Sequence, residues 1–389
     1  SEAPMTRNQK ALEALEHKFL APYGARSRDA ERKNKESDSD YRTNFQRDWN
    51  RVLHSRSFRK LEYKTQVMPF GMGSDFVRNR MTHTLEAMQI GLGVARALGV
   101  NEDLATAIVL AHDLGHPPFG HKGEETLAKL CASFNHNLHS LRIVEELEER
   151  YPGWKGLNLT LEVLEGIEKH ETDYDRTFAY RYFPGESPTL EAQAAGYADT
   201  TAYRAHDVED ALVSGLVQEK QFARVEFWRH VSKGQPTQPR KVRYAQIARR
   251  AIGFMVTDLI ETTAKRLEKF RVRTLRDVRR VKENIVQWSP RVQAMQDELA
   301  RFLEEEFYES PPVRRACGKG QMIVEGLFTA YARDPKVLPR DVQEAREDAA
   351  RRGAEPMRVV ADHIAGMTDR FAIDEYRNLY DVGGRDIFG

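Results

Sequence analysis

The sequence predicts an all-α fold on three observations. Apolar residues recur at three- and four-residue spacing over long segments, helix-starting residues precede several of them, and strict apolar–polar alternation is almost absent. In chain order, the first such segment runs from Thr82 to Leu98. In the next, DLATAIVLAHD places Leu104, Ala107, Ile108 and Ala111 on one face, with Asn101 as N-cap and Asp103 at the positive end of the dipole. Further helical periodicity covers Ser140 to Arg150, Leu159 to His170, Leu190 to Leu216, Tyr244 to Phe270, Pro290 to Phe307 and Pro356 to Tyr380. The run RVEFWRHV is short and ambiguous between strand and helix.

Breakers divide the chain. Residues 1–40 are polar, and ARSRDAERKNKESDSD reads as a mobile segment. Residues 41–232 form the expected core, 233–241 (KGQPTQPRK) a linker or exposed excursion, and 242–389 a C-terminal helical region packing on that core. PFGMGSD, GHPPFGHKG and YFPGESP read as loops or turns. The basic run from Lys265 to Lys282 reads as a solvated helix face, with an anionic ligand or single-stranded nucleic acid as the alternative.

Composition excludes several classes. Lys and Arg number 60 against 59 Asp and Glu, so a bulk polyanion binder is not indicated. No apolar run approaches the roughly 18–20 residues that span a bilayer. The stretch SEAPMTRNQK lacks a secretory signal's apolar core, so a soluble, cytoplasmic protein is expected. Cys131 and Cys317 are too few for a disulfide framework or a cysteine metal cluster.

The segment LAHDLGHPPFGHKGE carries the chemistry. It delivers an adjacent imidazole and carboxylate, His112 and Asp113, just before a Gly-Pro-rich turn. With His83 in RNRMTHTLEA and Asp199 in AAGYADTTAYRAHD, the chain offers two imidazoles and two carboxylates. That mixed nitrogen–oxygen set suits Mn²⁺, Mg²⁺, Fe²⁺, Co²⁺ or Ni²⁺, and leaves coordination positions for water and a phosphate oxygen. Asp199, Tyr203 and Asp207 recur every four residues and share one helical face.

The pattern H…HD…D resembles the HD superfamily of metal-dependent phosphohydrolases. The blocks YRTNFQRDWNRVLHSRSFRKLEYKTQV, RNRMTHTLE, HDLGHPPFGHKGE, FNHNLHSLRIVE, LNLTLEVLEGI, ADTTAYRAHD and IAGMTDRFA resemble more specifically the dNTP triphosphohydrolase (deoxyguanosinetriphosphate triphosphohydrolase-like) family. The resemblance implies an HD-domain helical fold with C-terminal helices that close the site and contribute to oligomer contacts. It implies that His83, His112, Asp113 and Asp199 hold the metal, Mn²⁺ or Mg²⁺ first among the candidates; because PFGMGSDFVRNR offers no extra His, one tightly bound ion is expected, with a second on the substrate phosphates as the alternative. It assigns catalysis to His121 and Glu124, three residues apart, and to His136 in FNHN. For a triphosphate, Arg80 is expected on an α-phosphate oxygen and Arg59 on phosphate or in a structural pair, with His116 also at the substrate and Lys60 at the surface. Gln66, Tyr203 and Asp207 match positions that approach the deoxyribose. The implied partners are a dNTP substrate, copies of the chain in a homo-oligomer such as a hexamer, an allosteric dNTP and single-stranded DNA.

Other features read as structural. His54, His170 and His206 are each taken as hydrogen-bonded structural histidines, and Asp369 and Arg370 as a structural or interface pair. The departure ADTTAY leaves the contacts of Thr200 and Thr201 unassigned. Rival readings are another HD phosphohydrolase or phosphodiesterase, and a non-catalytic nucleotide or single-strand binder.

Overall fold

The computed structural model describes residues 7–39, 41–67, 78–132, 134–170, 180–235 and 239–381. Among them every regular element is helical, and β-type pairing is confined to isolated bridges such as Thr65 with Asn79. Helix α1 (Gln9–Phe19) precedes α2 (Asn44–Leu53) and α3 (Arg56–Lys60). Then come α4 (Arg80–Leu98), α5 (Glu102–His112), α6 (Gly120–Leu130), α7 (His136–Arg142), α8 (Leu161–Glu168) and α9 (Leu190–Val213). Short helices α10 (Glu219–Phe222) and α11 (Glu226–Ser232) lead to the long α12 (Arg240–Lys269) and to α13 (Leu275–Arg280). The chain continues through α14 (Pro290–Leu303), α15 (Pro311–Arg333), α16 (Arg340–Arg351), α17 (Pro356–Ala365) and α18 (Asp369–Tyr380).

Local chemistry sets the helix starts. Asn79 accepts from the Thr82 N–H at 2.9 Å while the Thr82 hydroxyl accepts from the Asn79 N–H at 3.2 Å, so α4 begins at Arg80. Asn101 caps α5 as expected, its Oδ1 accepting from Asp103 and Leu104. Proline opens α14, α15 and α17, where a missing N–H costs nothing.

Two hydrophobic cores organise these helices. The larger is built around α9, which packs against α4, α5, α8 and α12. Ala194, Ala195, Ala198, Ala202 and Ala205 are all buried along α9, and their small side chains let neighbouring helices approach closely. The smaller core joins α6, through Leu127 and the preceding Phe119, to Val324, Leu327 and Phe328 of α15 and to Ile364 of α17.

Several expectations need correction. The periodicity over Pro356 to Tyr380 is two helices, because α17 ends at Ala365 and Thr368 caps a new start at Asp369. RVEFWRHV contains a helix, with Phe227, Trp228 and Val231 buried at helical spacing. The segment from Ser140 to Arg150 is the end of α7 followed by one wide turn, Ile143–Leu147. The polar segment before residue 40 is docked, since Arg32 pairs with buried Asp48, and Glu36 pairs with Arg47 and Arg51. The basic run is no single solvated face: it crosses from α12 to α13, and Arg266 and Arg279 are buried against Glu283 and Glu165. The loop PFGMGSD lies outside the described residues, as do 236–238 of the expected linker.

Candidate functional site

Three helices bring the expected metal ligands together. His83 lies in the first turn of α4, His112 and Asp113 stand at the carbonyl end of α5, and Asp199 lies midway along α9. His83 Nε2 is 2.8 Å from Asp199 Oδ1. His112 Nδ1 sits 2.6 Å from Val109 O, so it donates to its own helix and leaves Nε2 as the free acceptor. That Nε2 has no hydrogen-bond partner among the described residues although it is buried, and it lies 3.4 Å from Asp113 Oδ1 and 3.6 Å from Asp199 Oδ1.

The field in this cluster favours a cation. Burial would raise the Asp199 carboxyl, but the charge on His112 and contacts from His170 and His83 hold it well below the usual range. Burial would lower His112, yet the charges of Asp113 and Asp199 push it up to about 9. The negative end of the α5 dipole points the same way. Nitrogen and oxygen donors that attract a proton this strongly, with an orphaned imidazole lone pair among them, fit a divalent cation.

His170, read from sequence as structural, belongs to this cluster. It follows α8, and its Nε2 stands 3.3 Å from Asp199 Oδ2. His112, His170 and Asp199 can hold an ion, as can His83, His112 and Asp113. The helix carrying Glu168 ends just before His170, and nothing in the local sequence reveals that its ring turns toward α9. His206 behaves as expected, pairing with Glu86 at 2.8 Å, and His54 is exposed.

A cavity of about 210 Å³ opens onto the cluster. Of the residues singled out from sequence, Gln66, Arg80, His112, Asp113, His116, His121, His136, Asp199, Tyr203 and Asp207 line it. His83 and Glu124 stand behind its wall. Arg59 is exposed on α3 and does not contribute to the lining, whereas Lys122, unassigned from sequence, does. Lys60 is exposed as expected, and its Nζ donates to Gly366 O.

Arg80 is the cation placed deepest. It is 1% exposed, and its Nη1 stands 3.0 Å from Asp113 Oδ2. Its Nε and Nη2 have no hydrogen-bond partner among the described residues. Gly120, at φ +60°, lets the chain pass close by, since a Cβ there would lie 3.3 Å from Arg80 Nη2 and from Gln66 O. A buried guanidinium with unsatisfied N–H groups calls for an anion.

The histidines after the HD pair form a second group. His116 and His136 stack with centroids 3.8 Å apart, and His116 Nε2 is 3.1 Å from Asp113 Oδ1. Burial, together with the charges of Arg80 and His136, holds His116 well below its ordinary value, so its ring is neutral. Glu124 faces this pair more than it faces His121. It accepts from the His136 backbone N–H at 2.7 Å and meets the His136 ring at 2.9 Å, while His121 Nδ1 is 4.0 Å away. His121 is partly exposed and lines the cavity.

The opposite wall carries Tyr203 and Asp207 from α9. Asp207 accepts from the hydroxyl of Tyr308, a C-terminal residue that sequence reasoning did not single out. Burial pushes the Asp207 carboxyl up to about 6, although Tyr308 acts against it. Val313 and Cys317 of α15, which pack with the larger core, complete this side, and Phe119 of the smaller core also lines the cavity.

Comparison with known proteins agrees with this geometry. A family model described as HD domain matches residues 80–204, and one described as Phosphohydrolase-associated domain matches residues 286–378. A deoxyguanosinetriphosphate triphosphohydrolase-like protein of Geobacter metallireducens is 44% identical over 376 residues, covering 94% of this chain and 96% of its own. Proteins of the same description from Thiobacillus denitrificans and Bordetella pertussis are each 42% identical, over 93% and 90% of this chain and 98% and 94% of theirs. With an HD domain, clustered metal donors and this extent of similarity, the chain is a phosphohydrolase that belongs to the deoxyguanosinetriphosphate triphosphohydrolase-like family of HD-domain proteins.

Proposed function

We propose that this protein hydrolyses deoxynucleoside triphosphates, dGTP among them, by attack of water at the α-phosphorus, releasing deoxynucleoside and inorganic tripolyphosphate. The observation that carries this reading is Arg80, a buried guanidinium with two unsatisfied nitrogens beside a metal-binding cluster. The relatives' description supports the same substrate class. His83, His112, Asp113 and Asp199 would hold the ion, Mn²⁺ or Mg²⁺ before Fe²⁺, Co²⁺ or Ni²⁺. When bound, it supplies Lewis-acid polarisation of a phosphate oxygen and a lowered pKa for water.

The chain's own groups do the rest. Arg80 donates to an α-phosphate oxygen, where charge accumulates during displacement. His121, on the cavity floor, moves a proton to the O5′ leaving group or from the water. Glu124 fixes His136, and through the stacked rings His136 fixes His116 against Asp113. Gln66, Tyr203 and Asp207 receive the sugar. A ring at Tyr203 excludes a 2′-hydroxyl by contact, and Asp207 accepts from the 3′-hydroxyl. Residues 41–232 would be the catalytic unit and 242–389 the part that completes the cavity.

Product chromatography tests this. Metal-stripped protein is reloaded with Mn²⁺ or Mg²⁺ and given each dNTP alone and then all together. Deoxynucleoside with tripolyphosphate is the expected result, and a response only to the mixture would add an allosteric dNTP. Orthophosphate or pyrophosphate instead would point to a different HD phosphohydrolase chemistry. Light scattering on the same sample tests the homo-oligomer, and titration with labelled single-stranded DNA tests that partner.

A further inference from the structure

The turn between the HD pair and α6 is held from outside the HD-domain match by one buried carboxylate. Asp369, the first residue of α18, is 1% exposed. Its Oδ1 accepts from the Phe119 N–H at 3.0 Å, and its Oδ2 accepts from the Thr65 N–H at 3.0 Å and from the Thr65 hydroxyl. Phe119 precedes the α6 helix that carries His121 and Glu124, and Thr65 precedes Gln66. A single side chain thus ties together two walls of the cavity. Arg370, read from sequence as its partner, is exposed and lies nearest Asp374, at 3.9 Å.

The turn needs such a restraint. Phe119 sits at φ +64°, a left-handed conformation that costs a bulky residue on the order of 1–3 kcal/mol. Its ring is seated on Gly320 of α15, where a Cβ would stand 2.7 Å from the phenyl ring. On the other side of the turn, buried Lys64 donates to His116 O and, at 2.9 Å, to Ala365 O at the end of α17. The Asp369 bonds and the Phe119–Gly320 contact join the turn and Thr65 to the C-terminal helices, and Lys64 bridges the turn to the end of α17.

We propose that Asp369 is a positioning residue for the hydrolytic site, holding Phe119 in its left-handed conformation so that His121 and Gln66 keep their places in the cavity lining. This rests on the hydrolase reading above. It assigns the C-terminal region a part in setting active-site geometry, separate from any part in substrate contact.

The test compares the full chain, loaded with Mn²⁺, as wild type, Asp369→Ala, Asp369→Asn, Thr65→Val and the exposed control Arg370→Ala. Amide exchange by mass spectrometry and dGTP kinetics are read on each, with bound metal measured. In Asp369→Ala we expect faster exchange confined to the segments around residues 65 and 116–121. We also expect a kcat lower by about 10- to 100-fold, KM within about threefold and unchanged metal content. Asp369→Asn keeps an acceptor for Phe119 and recovers most of the rate, and Arg370→Ala behaves as wild type. A folded alanine variant with unchanged kcat overturns the proposal, as does faster exchange spread over the whole chain. If the alanine variant fails to fold, Thr65→Val decides by the same two readouts: faster exchange confined to the two segments with a lower kcat supports the proposal, and wild-type values of both overturn it. If the wild type turns over no dNTP, the hydrolase reading fails, and exchange confined to the turn still establishes the clamp.

Discussion

His170 Nε2 lies 3.3 Å from Asp199 Oδ2, and the His170 and His112 rings stand 4.9 Å apart on one side of that carboxylate. Asp199 is therefore approached by three imidazoles, from α4, from the end of α5 and from the segment after α8. Whether the third imidazole binds the ion or orients Asp199 has a measurable consequence. Replacing His170 with Ala should weaken Mn²⁺ binding by about 10- to 100-fold, as loss of an orienting partner does. Calorimetric titration of stripped protein checks this; wild-type affinity would make His170 a packing residue only.

His121 lines the cavity beside the expected ligands His112, Asp113 and Asp199. His121→Ala should lower turnover by about 10²- to 10⁴-fold with bound metal unchanged. Metal analysis alongside steady-state kinetics separates the two, and unaltered turnover would remove His121 from the proton-transfer role.

Tyr308 and Asp207 couple the C-terminal region to the sugar end of the cavity. Burial holds the Asp207 carboxyl at about 6, above its ordinary value, so the ionised acceptor gains population as pH rises through that point. On the proposed reading kcat/KM for dGTP rises over the same interval. Tyr308→Phe removes a hydrogen bond that favours the ionised form, and the rise should move to higher pH. A pH profile that does not move under this substitution would mean that Asp207 does not control it.

Glu162 gives a prediction about stability alone. Burial pushes its carboxyl up from 4.5 to about 7, and its Oε2 has no hydrogen-bond partner. Between those values the folded protein holds a proton that the unfolded chain has lost, so stability declines as pH rises through the window. Glu162→Gln should therefore be more stable than wild type at pH 8, by about 1–2 kcal/mol, and nearly equal at pH 5. Denaturant unfolding at the two pH values measures the difference, and equal stability at both would show that the carboxylate is well solvated.

The sequence alone determined the helical class and named about half of the residues that line the cavity. The 3,4 spacing of Leu104, Ala107, Ile108 and Ala111 has one way to bury itself, and Asn101 can cap only the helix that follows it. Asp199, Tyr203 and Asp207 share a face because helical geometry requires it, so one motif located a whole wall. The grouping of His83, His112, Asp113 and Asp199 was legible through the H…HD…D pattern and its resemblance to the HD superfamily.

Tertiary structure decided what depends on distant segments. His170 looked like any polar residue after a helix until the packing of α8 on α9 turned it toward Asp199. Glu124 was three residues from His121, yet the approach of α7 gave it to His136. The polar segment before residue 40 looked unable to order itself, and buried Asp48 and Arg51 supplied the opposite charges. Asp369 stands 250 residues from Phe119 in the chain, and no periodicity or local pattern connects them. Hydrogen bonds between segments so far apart follow from how two cores dock on each other, which only the folded chain specifies.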